Sequence, residues 1–154
     1  MSQKHGKLKV LAISSSGGHW EQLMLVVGCF AGDDIVYANT LDGLAQKSGV
    51  SPAYVVMDCN RDRVMDNLRC ASQVFSIIRK EKPDVIISTG AAPGIIALMI
   101  GKLMGARTIW LDSVANSERL SLSGKMAGRI ADLWLTQWAH LATKNGPQYF
   151  GSVL

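Results

Sequence analysis

Several signatures are missing from this sequence, and each absence excludes a class of protein. It has three cysteines, Cys29, Cys59 and Cys70, odd in number and with no C-x-x-C pair. A disulfide framework or a zinc ribbon is therefore excluded as a scaffold, and a reducing compartment suits the chain better. Charged residues make up only 18% of the 154 positions and apolar ones 48%, the reverse of a disordered composition. Fifteen glycines follow no G-x-y period, so the chain is not collagenous. No stretch reaches the ~18 apolar residues of a membrane-spanning helix. The apolar run Leu8 to Ile13 is interrupted by Lys9 and runs into serines and glycines, unlike a signal peptide. Neither G-x-G-x-x-G nor a G-K-[ST] phosphate loop is present. The formal net charge is +4, with twelve acids among sixteen bases, which is not the signature of a nucleic-acid partner. The bases gather at Lys4, Lys7 and Lys9 and again at Arg119, Lys125 and Arg129. They read as solvated surface, or as attraction to an anionic lipid leaflet or a diphosphate.

What is present is an alternation of short apolar runs and helical patterns. Strands are expected at Leu8–Ile13, Ile35–Ala38, Ala53–Met57, Val85–Ile87, Thr108–Leu111 and Leu133–Thr136. Helices are expected at His19–Phe30, Leu41–Lys47, Val64–Lys80, Ile95–Met104 and Leu122–Ala131. The clearest is Val64–Lys80, with Val64, Leu68, Ala71, Phe75 and Ile78 at helical spacing and Lys82-Pro83 as its stop. The polar cluster Asp58-Cys59-Asn60-Arg61 closes the strand before it. Strands that are apolar at nearly every position are those of a parallel sheet covered on both faces. The expected fold is α/β, an open doubly wound and mostly parallel Rossmann-like sheet, in one domain over residues 1–154.

In such a sheet ligands bind beyond the carboxyl ends of the strands. Three loops fall there. In Ser14-Ser15-Ser16-Gly17-Gly18-His19 the small residues let backbone N–H groups approach an anion at a helix start. The plain alternative is a tight capped turn. A neutral imidazole at His19 suits a general base near neutral pH, or else serves structurally by bonding a backbone carbonyl. Ser88 to Gly94, with Gly90-Ala91-Ala92-Pro93-Gly94 at its heart, repeats the same physics on another strand. Two such loops facing one crevice suit a diphosphate. The third loop, Asp112 to Arg119 with Ser121 and Ser123 beyond, crowds polar side chains at the end of a buried strand. Asp112 and Glu118 suit orienting a hydroxyl or accepting a proton. Arg119 suits a phosphate, or an internal ion pair. The helix after His19 is apolar almost all round, with only Glu21 and Gln22 polar, so it is buried in core, partner or lipid. Trp134 and Trp138 read as core or interface.

Together these stretches carry a resemblance. Ser15 to Leu23 (Ser-Ser-Gly-Gly-His-Trp-Glu-Gln-Leu), Ser88 to Gly94, Trp110 to Lys125, Ala131 to Trp138 and the ending Gly151-Ser152-Val153-Leu154 lie in order. They resemble the motifs of a bacterial oligosaccharide-biosynthesis family. That family is similar to the anchor subunit of the eukaryotic two-subunit, dolichol-linked N-acetylglucosaminyltransferase. The resemblance implies a fold like the N-terminal half of a GT-B glycosyltransferase, the half that receives the acceptor. It implies a subunit that binds a polyisoprenyl-diphosphate-linked sugar and assembles as a heterodimer with a donor-binding glycosyltransferase chain, through which the UDP-sugar enters. Location is expected to be cytoplasmic, peripheral at the inner face of the cytoplasmic membrane. The eukaryotic anchors carry an N-terminal membrane-spanning helix and this sequence has no such stretch, so attachment is expected to rest on apolar helix faces and basic residues. Under this reading His19 or Asp112 is the catalytic base. Gly17, Gly18, Gly90, Ala91, Ala92, Gly94, Asn116 and Arg119 hold the acceptor diphosphate, with no metal and no cofactor. Glu21 takes no catalytic role, because the eukaryotic relatives place the motif's glutamate one residue later. The alternative is a non-catalytic membrane scaffold that recruits the catalytic chain. A self-sufficient nucleotide-binding enzyme is disfavoured by the missing phosphate-loop motifs.

Overall fold

The structure is a computed structural model that describes residues 6–59 and 62–153; Lys4, Asn60, Arg61 and Leu154 lie outside the described residues. Seven strands form one sheet: β1 Lys9–Ile13, β2 Asp34–Asn39, β3 Ala53–Val55, β4 Val85–Ser88, β5 Arg107–Leu111, β6 Leu133–Thr136 and β7 Gln148–Tyr149. Their order is β3-β2-β1-β4-β5-β6-β7 and every pairing is parallel. The sheet is therefore doubly wound, as its apolar strands require. β4 is buried at all four positions, and β1 is buried from Val10 to Ile13. β7 is an additional edge strand; its two residues carry no apolar alternation from which to read it.

Among the described residues five α-helices flank the sheet: α1 Gly18–Val26, α2 Leu44–Lys47, α3 Val64–Glu81, α4 Ala92–Leu103 and α5 Leu122–Ala127. One face is closed by α3, α4 and α5, which contribute Cys70, Val74, Ile78, Ile95, Leu98 and Ala127 against Leu11, Val36, Ile86 and Trp110. On the other face Trp20 and Leu23 of α1 and Ala45 of α2 pack on Val10, Ala12, Tyr37 and Ile87. Each large side chain removed from water in this way contributes ~1.5–3 kcal/mol.

The helix boundaries differ from those expected, for local reasons. α1 tightens into a 3-10 turn at Val27–Phe30 rather than running on as α-helix. α2 is reduced to four residues behind the left-handed Gly43. α4 begins earlier than expected, because Pro93 fits the first turn of a helix where no N–H is needed. It ends in a Schellman arrangement: Gly105 has φ 91°, and Ala106 N–H reaches the Gly101 carbonyl at 2.9 Å. α5 stops at Ala127 instead of Ala131, and Ala131 N–H still bonds the Ala127 carbonyl at 2.7 Å. In α3 the buried side is Cys70, Val74, Ile77 and Ile78. Val64, Leu68 and Phe75, read from sequence as one stripe with Ile78, are exposed.

Candidate functional site

The strand order reverses between β1 and β4, and it is beside such a switch point, beyond the carboxyl ends of the strands, that an open parallel sheet has its ligand crevice. The first two glycine loops are the ones that leave these two strands, so the switch point lies between them. They are joined directly: Ser15 N–H donates to the Gly90 carbonyl at 3.3 Å. Ser16 N–H is held by Thr40 Oγ1 at 3.1 Å. Gly17, at φ 75°, turns the chain into α1, a backbone state that suits glycine.

The first bond within α1 runs from Glu21 N–H to the Gly17 carbonyl at 3.1 Å. Among the described residues the N–H groups of Gly18, His19 and Trp20 have no acceptor. In α4 the first bond is Ile95 N–H to the Ala91 carbonyl at 3.3 Å, which leaves the N–H groups of Ala92 and Gly94 open as well. Two helix starts, each with free donors and the positive end of its dipole, thus flank one crevice.

His19 sits between them. Its Nδ1 lies 3.1 Å from the Thr89 carbonyl, and Thr89 Oγ1 donates to the His19 carbonyl at 2.6 Å. A carbonyl only accepts, so Nδ1 is the donor in this bond, and in the neutral imidazole the lone pair is then on Nε2. No hydrogen bond reaches Nε2 among the described residues. Gly90 is required beside it on two counts. Its φ is 134°, and a methyl group at that position would collide with the His19 ring. Gly94 is a packing glycine: a Cβ there would meet Ser88 Oγ and the Trp110 ring. Gly17 and Gly18 are exposed, and Ala91 and Ala92 are half-buried.

The third loop is organised around Asp112, which is 2% exposed. One oxygen accepts from Trp110 Nε1 at 3.2 Å and Ser121 Oγ at 2.6 Å. The other accepts from Ser121 N–H at 3.0 Å and Asn116 Nδ2 at 3.4 Å. A Cβ on Gly124 would collide with the same carboxyl group. Asp112 is thus surrounded by donors and ties the loop to the start of α5. Asn116 faces Asp112 rather than standing free. Arg119 makes no ion pair among the described residues and is exposed, at a shallow hollow of about 280 Å³ shared with Ala115, Asn116, Ser117 and Glu118.

Two further residues of the site lie inside the motif stretches Ser15 to Leu23 and Ala131 to Trp138 but take no role from the sequence alone. Gln22 and Gln137 are 6% and 3% exposed. Gln137 Nε2 donates to Gln22 Oε1 at 2.6 Å and to the Asp112 carbonyl at 3.0 Å. Gln22 Oε1 also accepts from Val114 N–H at 3.0 Å, and Gln22 Nε2 donates to Ser113 Oγ at 3.1 Å. In the sequence Gln22 stands out, with Glu21, as polar in an apolar helix, and nothing there links it to Gln137. Trp138 joins them, its Nε1 donating to the Val114 carbonyl at 2.8 Å.

A larger hollow, about 1110 Å³, opens at the opposite end of the sheet among Leu8, Phe30, Val85, Met104, Ile109 and Leu133. Its acids are already engaged. Asp84 accepts from Lys9 N–H at 2.8 Å, and Asp132 from Thr108 N–H at 2.8 Å. No helix among the described residues starts there, so the carboxyl end of the sheet is the candidate site. No helix of the described residues is long and apolar enough to cross a membrane.

The likeness to solved structures agrees with this architecture. The chain superposes on Acinetobacter baumannii MurG with a TM-score of 0.75 at 13% identity, covering 91% of this chain and 44% of that one. It superposes on UDP-N-acetylglucosamine 2-epimerase from Rickettsia bellii at 0.68 and 15% identity, covering 88% and 40%. Both likenesses speak for a GT-B-like Rossmann fold. By sequence, the human protein named UDP-N-acetylglucosamine transferase subunit ALG14 is 24% identical over 172 residues, 89% of this chain and 78% of its own length. The protein of the same name from Eremothecium gossypii is 29% identical over 104 residues, 59% of this chain and 46% of that relative. Residues 50–153 match the family described as oligosaccharide biosynthesis protein Alg14 like. The motif Ser15 to Leu23 lies before that span. More than half of the sequence is matched, and the chain belongs to the Alg14-like family of oligosaccharide biosynthesis proteins.

Proposed function

We propose that this chain is the acceptor-binding, membrane-associating subunit of a two-component UDP-sugar-dependent glycosyltransferase that acts on a polyisoprenyl-diphosphate-linked saccharide. The observation that carries the reading is the meeting of two helix starts with unsatisfied N–H groups at the β1/β4 switch point, on either side of His19. Free backbone donors and aligned dipoles suit a diphosphate. The relatives are UDP-N-acetylglucosamine transferase subunits, which supports the reaction class, UDP-N-acetylglucosamine as donor and a donor-binding partner chain. A bacterial setting, in surface polysaccharide or lipid-linked oligosaccharide synthesis at the inner face of the cytoplasmic membrane, belongs to the same proposal.

In the step proposed, Nε2 of His19 takes the proton of the acceptor hydroxyl. The hydroxyl oxygen bonds to the anomeric carbon of the donor sugar, the bond from that carbon to the diphosphate breaks, and UDP leaves with the electron pair. The N–H groups of Gly18, Ala92 and Gly94 hold the acceptor diphosphate, with Gly17, Gly90 and Ala91 shaping the approach and Arg119 at the rim. Asp112, the other candidate base, has donors on both oxygens, so its task here is to hold Asn116 and the third loop in place. Exposed apolar residues that follow the carboxyl ends of the strands, Leu41, Val64, Met65, Leu68 and Leu122, surround the same end of the molecule. They suit a lipid surface from which a lipid-linked acceptor enters.

The test is capture of the tagged chain from its host, with UDP-N-acetylglucosamine transfer assayed on the captured complex and on the purified chain. Activity confined to the complex supports the subunit reading, and transfer by the isolated chain overturns it. His19→Ala in the complex should cost about 10²–10⁴-fold in turnover, the scale of general-base catalysis. Near-normal turnover would leave the scaffold reading in its place.

A further inference from the structure

We propose that Gln22 and Gln137 are positioning residues for the transfer, a buried amide clamp that fixes the third loop against the helix carrying His19. This rests on the functional reading above, since it concerns the two walls of the same crevice. The loop's first three residues after β5 are each held by the pair: Asp112 through its carbonyl by Gln137, Ser113 through its hydroxyl and Val114 through its N–H by Gln22. Gln22 stands one helical turn after His19, so a shift of the loop against Gln22 is a shift against the proposed base. Gln137 extends the clamp to the last described residues: its Oε1 accepts from Val153 N–H at 3.1 Å and Ser152 Oγ at 3.4 Å. Both amides are almost fully buried, where an unmatched polar atom is costly, so the arrangement has one satisfied form.

The hydrogen-bond directions make the clamp asymmetric. Gln22 Oε1 receives two N–H donors, and the Ser113 hydroxyl can turn its proton toward position 22. A carboxylate at 22 would therefore meet three donors. A carboxylate at 137 would push an oxygen against Gln22 Oε1 and the Asp112 carbonyl.

The experiment uses Gln22→Ala, Gln22→Glu, Gln137→Ala and Gln137→Glu in the complex captured through this chain. The substrates are UDP-N-acetylglucosamine and a synthetic short-chain polyisoprenyl-diphosphate-linked N-acetylglucosamine. Amide hydrogen exchange is read on the full chain in parallel. Both alanine variants should raise the acceptor KM roughly tenfold, with the UDP-N-acetylglucosamine KM within about twofold, because the loop borders the acceptor. Exchange over residues 112–119 should accelerate by about tenfold while α3 and α4 are unchanged. Gln22→Glu should restore the acceptor KM, and Gln137→Glu should not.

Unchanged exchange in the loop overturns the clamp. Faster exchange with an unmoved acceptor KM overturns the positioning role, as does a loss of kcat that only follows lost folded protein. If the alanine variants do not fold, the two glutamate variants decide, and the reverse order of tolerance overturns the inference. A wild-type complex silent toward both substrates overturns the functional reading and the positioning role with it, and the exchange data then judge the clamp by themselves.

Discussion

A methyl group at position 90 would enter the space occupied by the His19 ring, on a backbone at φ 134°. The ring cannot simply swing aside, because the Thr89 carbonyl holds Nδ1. Gly90→Ala should therefore cost stability on the scale of ~1–3 kcal/mol from backbone strain, and it should misplace Nε2. The expected result is a thermal midpoint lowered by several degrees and transfer by the complex reduced at least tenfold per folded molecule. Gly28→Ala is the control: a Cβ there meets nothing within 4 Å. If the two variants behave alike, the close approach of the glycine loop to His19 is irrelevant to the site. At this scale the sequence was only partly legible. Glycines before a helix announce a backbone approach, so His19 and its two loops can be read directly. Gln22 and Gln137 cannot, because two amides 115 positions apart that meet only in the fold have no spacing to detect.

At the scale of the element, α3 shows what periodicity conveys and what it leaves open. Apolar residues at helical spacing mark a stripe, but the width of the stripe does not say how much of it a sheet will cover. Here the sheet and α4 take Cys70, Val74, Ile77 and Ile78. Val64, Met65 and Leu68 are left 68%, 64% and 59% exposed, beside the exposed Arg63 and Arg69. Both arginines lie near the half-buried Asp66, at 3.6 and 3.9 Å, and their own ends are exposed, so the pairs are worth little to the fold. α3 follows β3, so this first turn and a half lies at the carboxyl end of the sheet, on the same rim as the crevice. We expect Met65→Glu with Leu68→Glu to abolish sedimentation with vesicles containing anionic lipid. The melting temperature should stay unchanged, since neither side chain packs in the core. Retained vesicle binding would show that this face of α3 is not what meets the lipid. The same limit applies to helix ends: pattern locates an element, while its start depends on backbone geometry such as the left-handed Gly43 before α2.

At the scale of the whole molecule the two ends of the sheet have separate work. The carboxyl end holds free donors and the open imidazole. At the amino end carboxylates bind the starts of strands around the hollow there. Asp132 joins Thr108 N–H at 2.8 Å and Lys102 at 3.2 Å. Glu81 accepts the Tyr54 hydroxyl and pairs with Lys9 at 3.0 Å. The Tyr54 hydroxyl bond, and then Lys9, hold the Glu81 carboxyl below its usual value of 4.5, and the Thr108 backbone bond does the same for Asp132 below 3.8. A carboxyl whose folded pKa is depressed stabilises the fold at pH above its unfolded value and loses that contribution as pH falls through the folded one. The chain should accordingly hold its stability down to about pH 5 and lose it progressively below the usual carboxylate range. Glu81→Gln should melt a few degrees lower at neutral pH and show a flatter decline between about pH 5 and 3. Its transfer activity in the complex should be unchanged per folded molecule, because the crevice is at the far end of the strands. An acid decline as steep as the wild type's would show that Glu81 is not one of the groups setting acid stability. A loss of turnover at neutral pH without loss of fold would show that the two ends of the sheet are coupled.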